Sequence, residues 1–529
     1  MKFKARKCRS LSLRKGRVVD RWVSVSGERV PTLKEEPVKS LGRWYKVPLN
    51  DRGRGREVQR QVEAMLQRID GTGLRGAQKL WCYEFGLLPR VVWPLTVYEV
   101  SCSRVEVIEQ KVNVMLRKWL GAPKMLACNA LYSKSGILQL PLRSVMEEYK
   151  CCRVRLALMM RFSPDGVISD NRPAVRSGRK WVAEEAAERA VAAAQFREVL
   201  GDIRTDRAGV GFRKQIKWWS AASVRDRRQL VTVEVRREEE DSRMVRAVQQ
   251  PHQGAWTKWE EVQPIRLSWE RLLHMNESML KFLIGSTYDV LWTPANQARW
   301  GLMPDSSCRE CGSPRATLEH ILSSCPVALA DGRFTWRHNR VLQVIVREVL
   351  SLLKEKAAHP RRVETKRFVK EGGKCRPGAA CAQRLRRKGE KVADDWRVEM
   401  DCGGRHTVPI EVCVSELRPD MVIWSAEARR VIIAELSVPW EGRVREANLR
   451  KAEKYAALAA QCREAGWDTA VFPIEIGCRG FVAQSFVHFL ARGLQAGPRH
   501  VKRIGRAVSD EAQMASRWIL HHFYQQTSR

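Results

Sequence analysis

The sequence predicts a multidomain α+β protein, and three observations carry that reading. Helical periodicity dominates residues 75–300, cysteines and a histidine take metal-ligand spacing at residues 308–325, and β-branched segments alternate with a helix-forming segment after residue 418. A chain of 529 residues has apolar content enough for about three or four buried cores. Lys and Arg outnumber Asp and Glu 95 to 59, for a formal charge of +36. A potential that positive favours a polyanionic partner, nucleic acid ahead of anionic membrane. No apolar run approaches the roughly 18 residues that span a bilayer, and the N-terminus lacks the apolar core of a signal peptide. The expectation is a chain of the cytosol or nucleus with no membrane partner.

In chain order, residues 1–60 read as a basic arm and a hairpin with the turn signal Leu41-Gly42. Residues 61–160 read as a helical domain in which Val105, Ile108, Val112, Met115, Leu116 and Trp119 form a buried stripe. Leu87-Leu88-Pro89-Arg90 and Trp93-Pro94 predict turns between its helices. Residues 161–300 form a helical linker region, Ala/Glu-rich over 180–203 and highly charged over 225–246. Trp256, Trp259, Trp269 and Trp292 recur there among basic residues, and core packing is preferred for each over base stacking. Residues 301–345 hold the Cys/His module, 346–405 a basic linker with the run Arg384-Leu385-Arg386-Arg387-Lys388, and 406–529 an α/β domain. A helix is expected over 341–355.

Fifteen cysteines in such a chain argue for free thiols and metal ligands rather than a disulfide framework. Cys308-x2-Cys311-x8-His320-x4-Cys325 has ligand spacing. A tight turn followed by Gly312 and Pro314 would aim two thiolates at one ion, and a short helix over 316–322 would supply His320, with Cys325 at its exit. Four ligands with no open position imply a structural tetrahedral Zn2+. His338 is a substitute ligand, with a phosphate or structural role preferred. Cys375, Cys381, Cys402 and His406 have irregular spacing and are read as unrelated to metal.

The α/β domain carries the chemistry. Segments 421–424 and 430–434 flank a polar hexapeptide and read as a β-hairpin. If Trp424 pairs with Val431, Asp420 falls opposite Glu435, about 5 Å away on one face, where two carboxylates can share a divalent ion. Such an ion polarises a phosphodiester and lowers the pKa of an attacking water. Ser437 stands where a Pro-Asp-x(n)-Glu-x-Lys nuclease has its lysine, so the cation must come from the helix expected over 441–464, from Lys451 or Lys454. A strand over 471–476 and a turn at Cys478-Arg479-Gly480-Phe481 follow.

Arg418-Pro419-Asp420, then Glu435, then Lys451-x-x-Lys454-Tyr455 resembles the restriction-enzyme-like endonuclease at the C-terminus of site-specific non-LTR retrotransposon proteins, the class that inserts into ribosomal DNA. The resemblance implies a PD-(D/E)xK domain in which Asp420, Glu435 and a helix lysine are catalytic with Mg2+ or Mn2+, preceded by a CCHC zinc knuckle. The family follows its knuckle with Arg-His-Asp, and this chain departs from that with Asn339 after Arg337-His338. Arg418, Arg337 and His338 are the candidate nucleic-acid contacts. Residues 1–60 resemble the end of the reverse transcriptase palm, a Lys-rich strand and the Leu-Gly turn at the primer, and 61–160 the polymerase thumb. No aromatic-x-Asp-Asp loop occurs, the only Asp-Asp being Asp394-Asp395, so polymerase activity is not expected from this chain, which starts downstream of that loop. The implied activity is nicking of target DNA in the nucleus to prime reverse transcription, with the element's RNA as a second partner. The alternatives are a repurposed nucleic-acid-binding protein that does not cut and a fragment of a longer gene.

Overall fold

The computed structural model describes residues 4–171, 173–200, 202–206, 209–213, 219–358, 395–401 and 408–526. The basic run at 384–388 and Cys375, Cys381, Cys402 and His406 lie outside them. The protein is a mixed helix and sheet structure of the α+β kind, in two compact units: Met1–Thr257 with Arg266–Ile284, and Lys258–Ile265 with Gly285–Arg529. No helix among the described residues is long and apolar enough to cross a membrane.

The first unit opens on three short antiparallel hairpins, Ser12–Arg14 with Arg17–Val19, Val23–Val25 with Glu28–Val30, and Val38–Ser40 with Arg43–Tyr45. Each turns on a residue pair ending in glycine, Lys15-Gly16, Ser26-Gly27 and Leu41-Gly42, with both residues at positive φ. That backbone matches the right-handed strand twist, and it explains why x-Gly recurs. In the N-terminal segment where a Lys-rich strand is expected, Ala5–Lys7 form a 3-10 turn and Ser12–Arg14 and Arg17–Val19 are strands.

Helices follow, and the stripe on Cys102–Leu120 is buried as expected except at half-buried Met115. No turn interrupts 76–97: the chain stays helical through Gly76–Trp81, a π-helical stretch Cys82–Leu87 and Leu88–Val97. Pro89 sits where the π-helical stretch passes into the last helix, and Pro94 lies within that helix. The Ala/Glu-rich helix is Ala183–Leu200; Ala183, Ala186, Ala187, Ala190 and Ala194 share a core with Val154, Leu158, Val231 and Val235 from Val145–Arg161 and Val224–Val248. Its expected last residues belong instead to the strand Asp202–Asp206, paired with Gly209–Arg213.

The second unit is built on a four-stranded sheet of Arg397–Met400, Met421–Ser425, Arg430–Ser437 and Asp468–Glu475, in that order. The first three strands run antiparallel and the last is parallel to the third. Side chains alternate between two cores. Met421, Ile423, Ile432, Leu436 and Ile474 pack with Val341, Ile345 and Val349 of helix Arg333–Ala358 and with Ile504 and Val508 of helix Pro498–Gln526. Val422, Trp424, Val431 and Ile433 pack on the other face with Tyr455, Leu458 and Cys462. Both faces are therefore covered, which is why the third strand is a near-continuous apolar run. Its partner turn is stapled by Asp395, which accepts hydrogen bonds from the Ser425 hydroxyl and the Glu427 N–H.

Two expected boundaries shift. Helix Arg333–Ala358 crosses the division placed at 345/346 and contributes to the sheet core, so the Cys/His module and the α/β domain are not separated by a linker there. The helix expected over 441–464 is three pieces, Glu441–Arg443, Val444–Lys454 and Ala456–Glu464. The break falls at Tyr455, whose ring is fully buried and whose hydroxyl donates to the Arg418 carbonyl at 3.0 Å. Trp256 and Trp259 are buried, Trp269 is half-buried and Trp292 is 58% exposed, so the core reading holds for the first two.

Candidate functional site

Cys308, Cys311, His320 and Cys325 converge, their ligand atoms all within 4.8 Å of one another. The Cys308–Cys311 turn closes through Gly312 N–H to the Cys308 carbonyl at 2.8 Å, and Gly312 takes a φ of +71° that suits glycine. His320 and Cys325 are presented by a π-helical turn, His320–Ser324, rather than by the helix expected over 316–322. Its wider spacing brings residues five apart to one side. Burial raises the thiols of Cys308 and Cys325, the latter to about 12, so without an ion they are neutral and a metal must displace protons to bind. Three sulfurs and one imidazole nitrogen in a compact set suit a zinc ion. Inside the Cys-x2-Cys turn, Glu310 pairs with buried Arg333 at 2.9 Å, and so fastens the module to the first turn of helix Arg333–Ala358.

That helix leads to the second cluster. Trp424 pairs with Val431 and Met421 with Ala434, the register expected from the sequence, so Asp420 stands opposite Glu435 at the hairpin's open end. The two residues are cross-bonded: the Asp420 N–H donates to Glu435 Oε2 at 3.0 Å, and the Leu436 N–H donates to Asp420 Oδ2 at 2.7 Å. Lys451 Nζ lies 2.6 Å from Glu435 Oε1, and Lys454 Nζ lies 3.7 Å from the same oxygen and 3.0 Å from the Tyr455 hydroxyl. Both lysines reach the carboxylate; Lys451 is the closer and the less exposed. Ser437, in the usual lysine position, is buried.

Sequence reasoning named His338 as a nucleic-acid contact or substitute metal ligand, but not as a partner of Asp420. His338 Nε2 is 3.2 Å from Asp420 Oδ2, and its Nδ1 is 3.1 Å from Asn339 Oδ1, so it faces the carboxylates and not the cysteines. Burial disfavours its imidazolium, but the hydrogen bond and charge of Asp420 outweigh that and hold its pKa above the ordinary histidine value. The only sequence signal was the Arg-His pair itself. Arg337, expected to touch nucleic acid, is 2% exposed and donates to the carbonyls of Leu322 and Val438 and the Ser516 hydroxyl. Its guanidinium is committed to the scaffold, because adjacent helix positions point to different sides. Arg418 is exposed.

A cleft of about 400 Å³ opens beside the cluster, lined by Phe334, Thr335, Arg337, His338, Leu436, Ser437, Val438, Pro439, Ala447, Arg450 and Lys451. Arg450 and Lys451 bring positive charge to its wall, beside the apolar Phe334, Leu436, Val438 and Pro439. The helix that supplies Lys451 is anchored from below by Asn448, whose amide donates to both oxygens of buried Glu475 at 3.2 and 3.1 Å. The turn at Cys478-Arg479-Gly480-Phe481 forms as expected; Gly480 has φ +88°, and a Cβ there would meet the Ser509 carbonyl at 2.6 Å. Arg479 is sandwiched between Trp259 and Trp440, 3.9 and 3.5 Å from their ring centres, and paired with buried Glu441 at 2.6 Å. Compared with known proteins, the chain matches no family model and no curated protein sequence.

Proposed function

We propose that the second unit is a metal-dependent DNA endonuclease of the PD-(D/E)xK kind, nicking target DNA as the C-terminal portion of a non-LTR retrotransposon protein. The observation that carries this reading is the hairpin register that sets Asp420 beside Glu435, with Lys451 on the Glu435 carboxylate. A mixed sheet covered by helices on both faces, with the carboxylates at the open end of its central hairpin, supports it further. The donor set is oxygen only, which suits Mg2+ or Mn2+. Asp420 and Glu435 would hold the ion, and when bound it would supply phosphate polarisation and an acidified water. The chain's own groups do the rest. Lys451 balances the charge of buried Glu435 and is placed to pair with a phosphate oxygen. His338 orients the Asp420 carboxylate from the opposite side, and Arg450 with the exposed Arg418 supplies positive charge for the strand.

DNA is the proposed target, with the element's RNA as second partner and the nucleus as location; the charge of +36 supports polyanion binding. The zinc module is proposed as a knuckle that fixes the start of the His338 helix. The test is conversion of supercoiled plasmid to open circle with Mg2+. Wild type should nick, and Asp420→Ala or Glu435→Ala should not, with duplex affinity nearly unchanged. Failure of wild type with both Mg2+ and Mn2+, or cutting by Asp420→Ala at the wild-type rate, would replace this reading with that of a binding protein that does not cut.

A further inference from the structure

Away from the carboxylate site, two helices of the second unit carry an exposed aromatic ladder. Trp336, on Arg333–Ala358, lies against Trp518, on Pro498–Gln526, with ring centroids 4.6 Å apart and planes tilted 44°. His522, one turn beyond Trp518, stacks on it at 5.1 Å and 12°. Trp336 is 39% exposed and Trp518 45%, and Met514, one turn before Trp518, is 47% exposed. The core does not require these rings. The inward faces of the two helices are already filled by Val341 and Ile345 and by Ile504, Val508 and Ala512.

An exposed indole pair is unusual enough to suggest a ligand, and the setting narrows which one. Beside Trp518 the helix Pro498–Gln526 carries Arg517; its other basic residues, Arg499, Lys502, Arg503 and Arg506, lie towards its start, where Arg503 pairs with Glu348 and Glu355 and Arg506 with Asp510. Beside the ladder, Arg340 is half-exposed while pairing with Glu511 at 2.7 Å. Flat π faces on a basic surface fit unpaired nucleobases, which stack while their phosphates meet the cations. A purely apolar partner would leave Arg517, next to Trp518, unmatched. We propose that the Trp336–Trp518–His522 ladder is a stacking platform for the unpaired bases of a DNA strand. The choice of DNA rests on the nuclease reading, since the helix that carries Trp336 also carries His338 at the carboxylate pair.

The test is fluorescence anisotropy in an Asp420→Ala background without Mg2+, so that nothing is cut, with labelled oligo(dT), oligo(rU) and blunt duplex DNA as probes. Trp336→Ala with Trp518→Ala should weaken oligo(dT) binding by roughly 10- to 100-fold, with duplex binding changed less than about threefold. Unchanged oligo(dT) affinity, or an equal loss for duplex, overturns the platform. Tighter binding of oligo(rU) than oligo(dT) by wild type overturns its assignment to DNA. If the double variant does not fold, Trp518→Phe is compared with Trp518→Leu: the ring should keep binding and the aliphatic side chain should lose it, and equal affinities overturn the proposal. Plasmid nicking is scored separately, so the platform and the nuclease reading fail independently.

Discussion

The Cys/His module and the carboxylate centre are both small clusters of ligating side chains, yet they are assembled in opposite ways. All four candidate ligands, three thiols and an imidazole, come from one stretch of chain, 308–325. The oxygen cluster draws on three elements. His338 and Asp420 are 82 residues apart in the chain and Lys451 and Glu435 are 16 apart, so the centre exists only once the sheet has closed and both faces are covered. The first site is held by its ligands, while the second is held by the fold around it. They share one helix, gripped by Glu310–Arg333 at its start and touching Asp420 through His338. The difference sets where each should break: the module on loss of one of its four converging side chains, the carboxylates on loss of any of several supports.

The largest effect should fall on the carboxylates. Asp420→Asn keeps the shape and removes the charge, and nicking should drop by more than roughly 100-fold, since metal binding and water activation are lost together. Plasmid assays with filter binding as control would show it, and retained cutting would remove Asp420 from the chemistry. Next comes the module. Cys308→Ser with Cys311→Ser should take zinc from one per chain to none by elemental analysis and cost on the order of 3 kcal/mol in a thermal melt, because metal binding is coupled to folding. If zinc is unchanged, the ligand set is wrong. A smaller split is expected between the lysines. Lys451, at 2.6 Å from Glu435 against 3.7 Å for Lys454, should lose about tenfold more nicking rate on change to alanine. Equal losses would mean that both act on the strand.

The smallest effect concerns pH. Burial raises the pKa of Glu475 despite hydrogen bonds from Ser485 and Asn448, and the charge of Glu261 adds to the rise. A carboxyl with a folded pKa above its unfolded value of about 4.3 binds its proton more tightly when folded. Its contribution is complete below that value and is lost as pH rises through the folded pKa. Glu475→Gln should therefore flatten the decline in urea-melt midpoint from pH 4 to 7, and an unchanged pH profile would show that the buried carboxyl does not titrate there.

Much of the site was legible beforehand because its signals are local. The Trp424–Val431 pairing follows from two apolar runs about one hexapeptide, and Asp420 opposite Glu435 is then arithmetic. The cysteine spacing identified four ligands that do converge. Illegible were features set by distant partners. Nothing near Tyr455 marks a helix break, and the bond from its hydroxyl to Arg418 ties it to a distant segment. Pro89 and Pro94 look like breakers, yet the first lies at the junction of the π-helical and α-helical stretches and the second is tolerated within the α-helix. Arg337 and His338 are adjacent and basic, and only the direction each side chain takes separates a buried scaffold cation from a carboxylate partner.

By itself the sequence determined the α+β class, the hairpin and its register, the Cys/His ligand set, the pair of carboxylates and the excess of positive charge, because each is written in neighbouring residues or in composition. The tertiary structure alone decided that helix Arg333–Ala358 belongs to the sheet core, that His338 meets Asp420, that Lys451 comes closer to Glu435 than Lys454 does, and that Trp336 meets Trp518 on an exposed face. Each of those depends on packing between segments far apart in the chain, where periodicity shows which face of an element is buried but not which partner buries it.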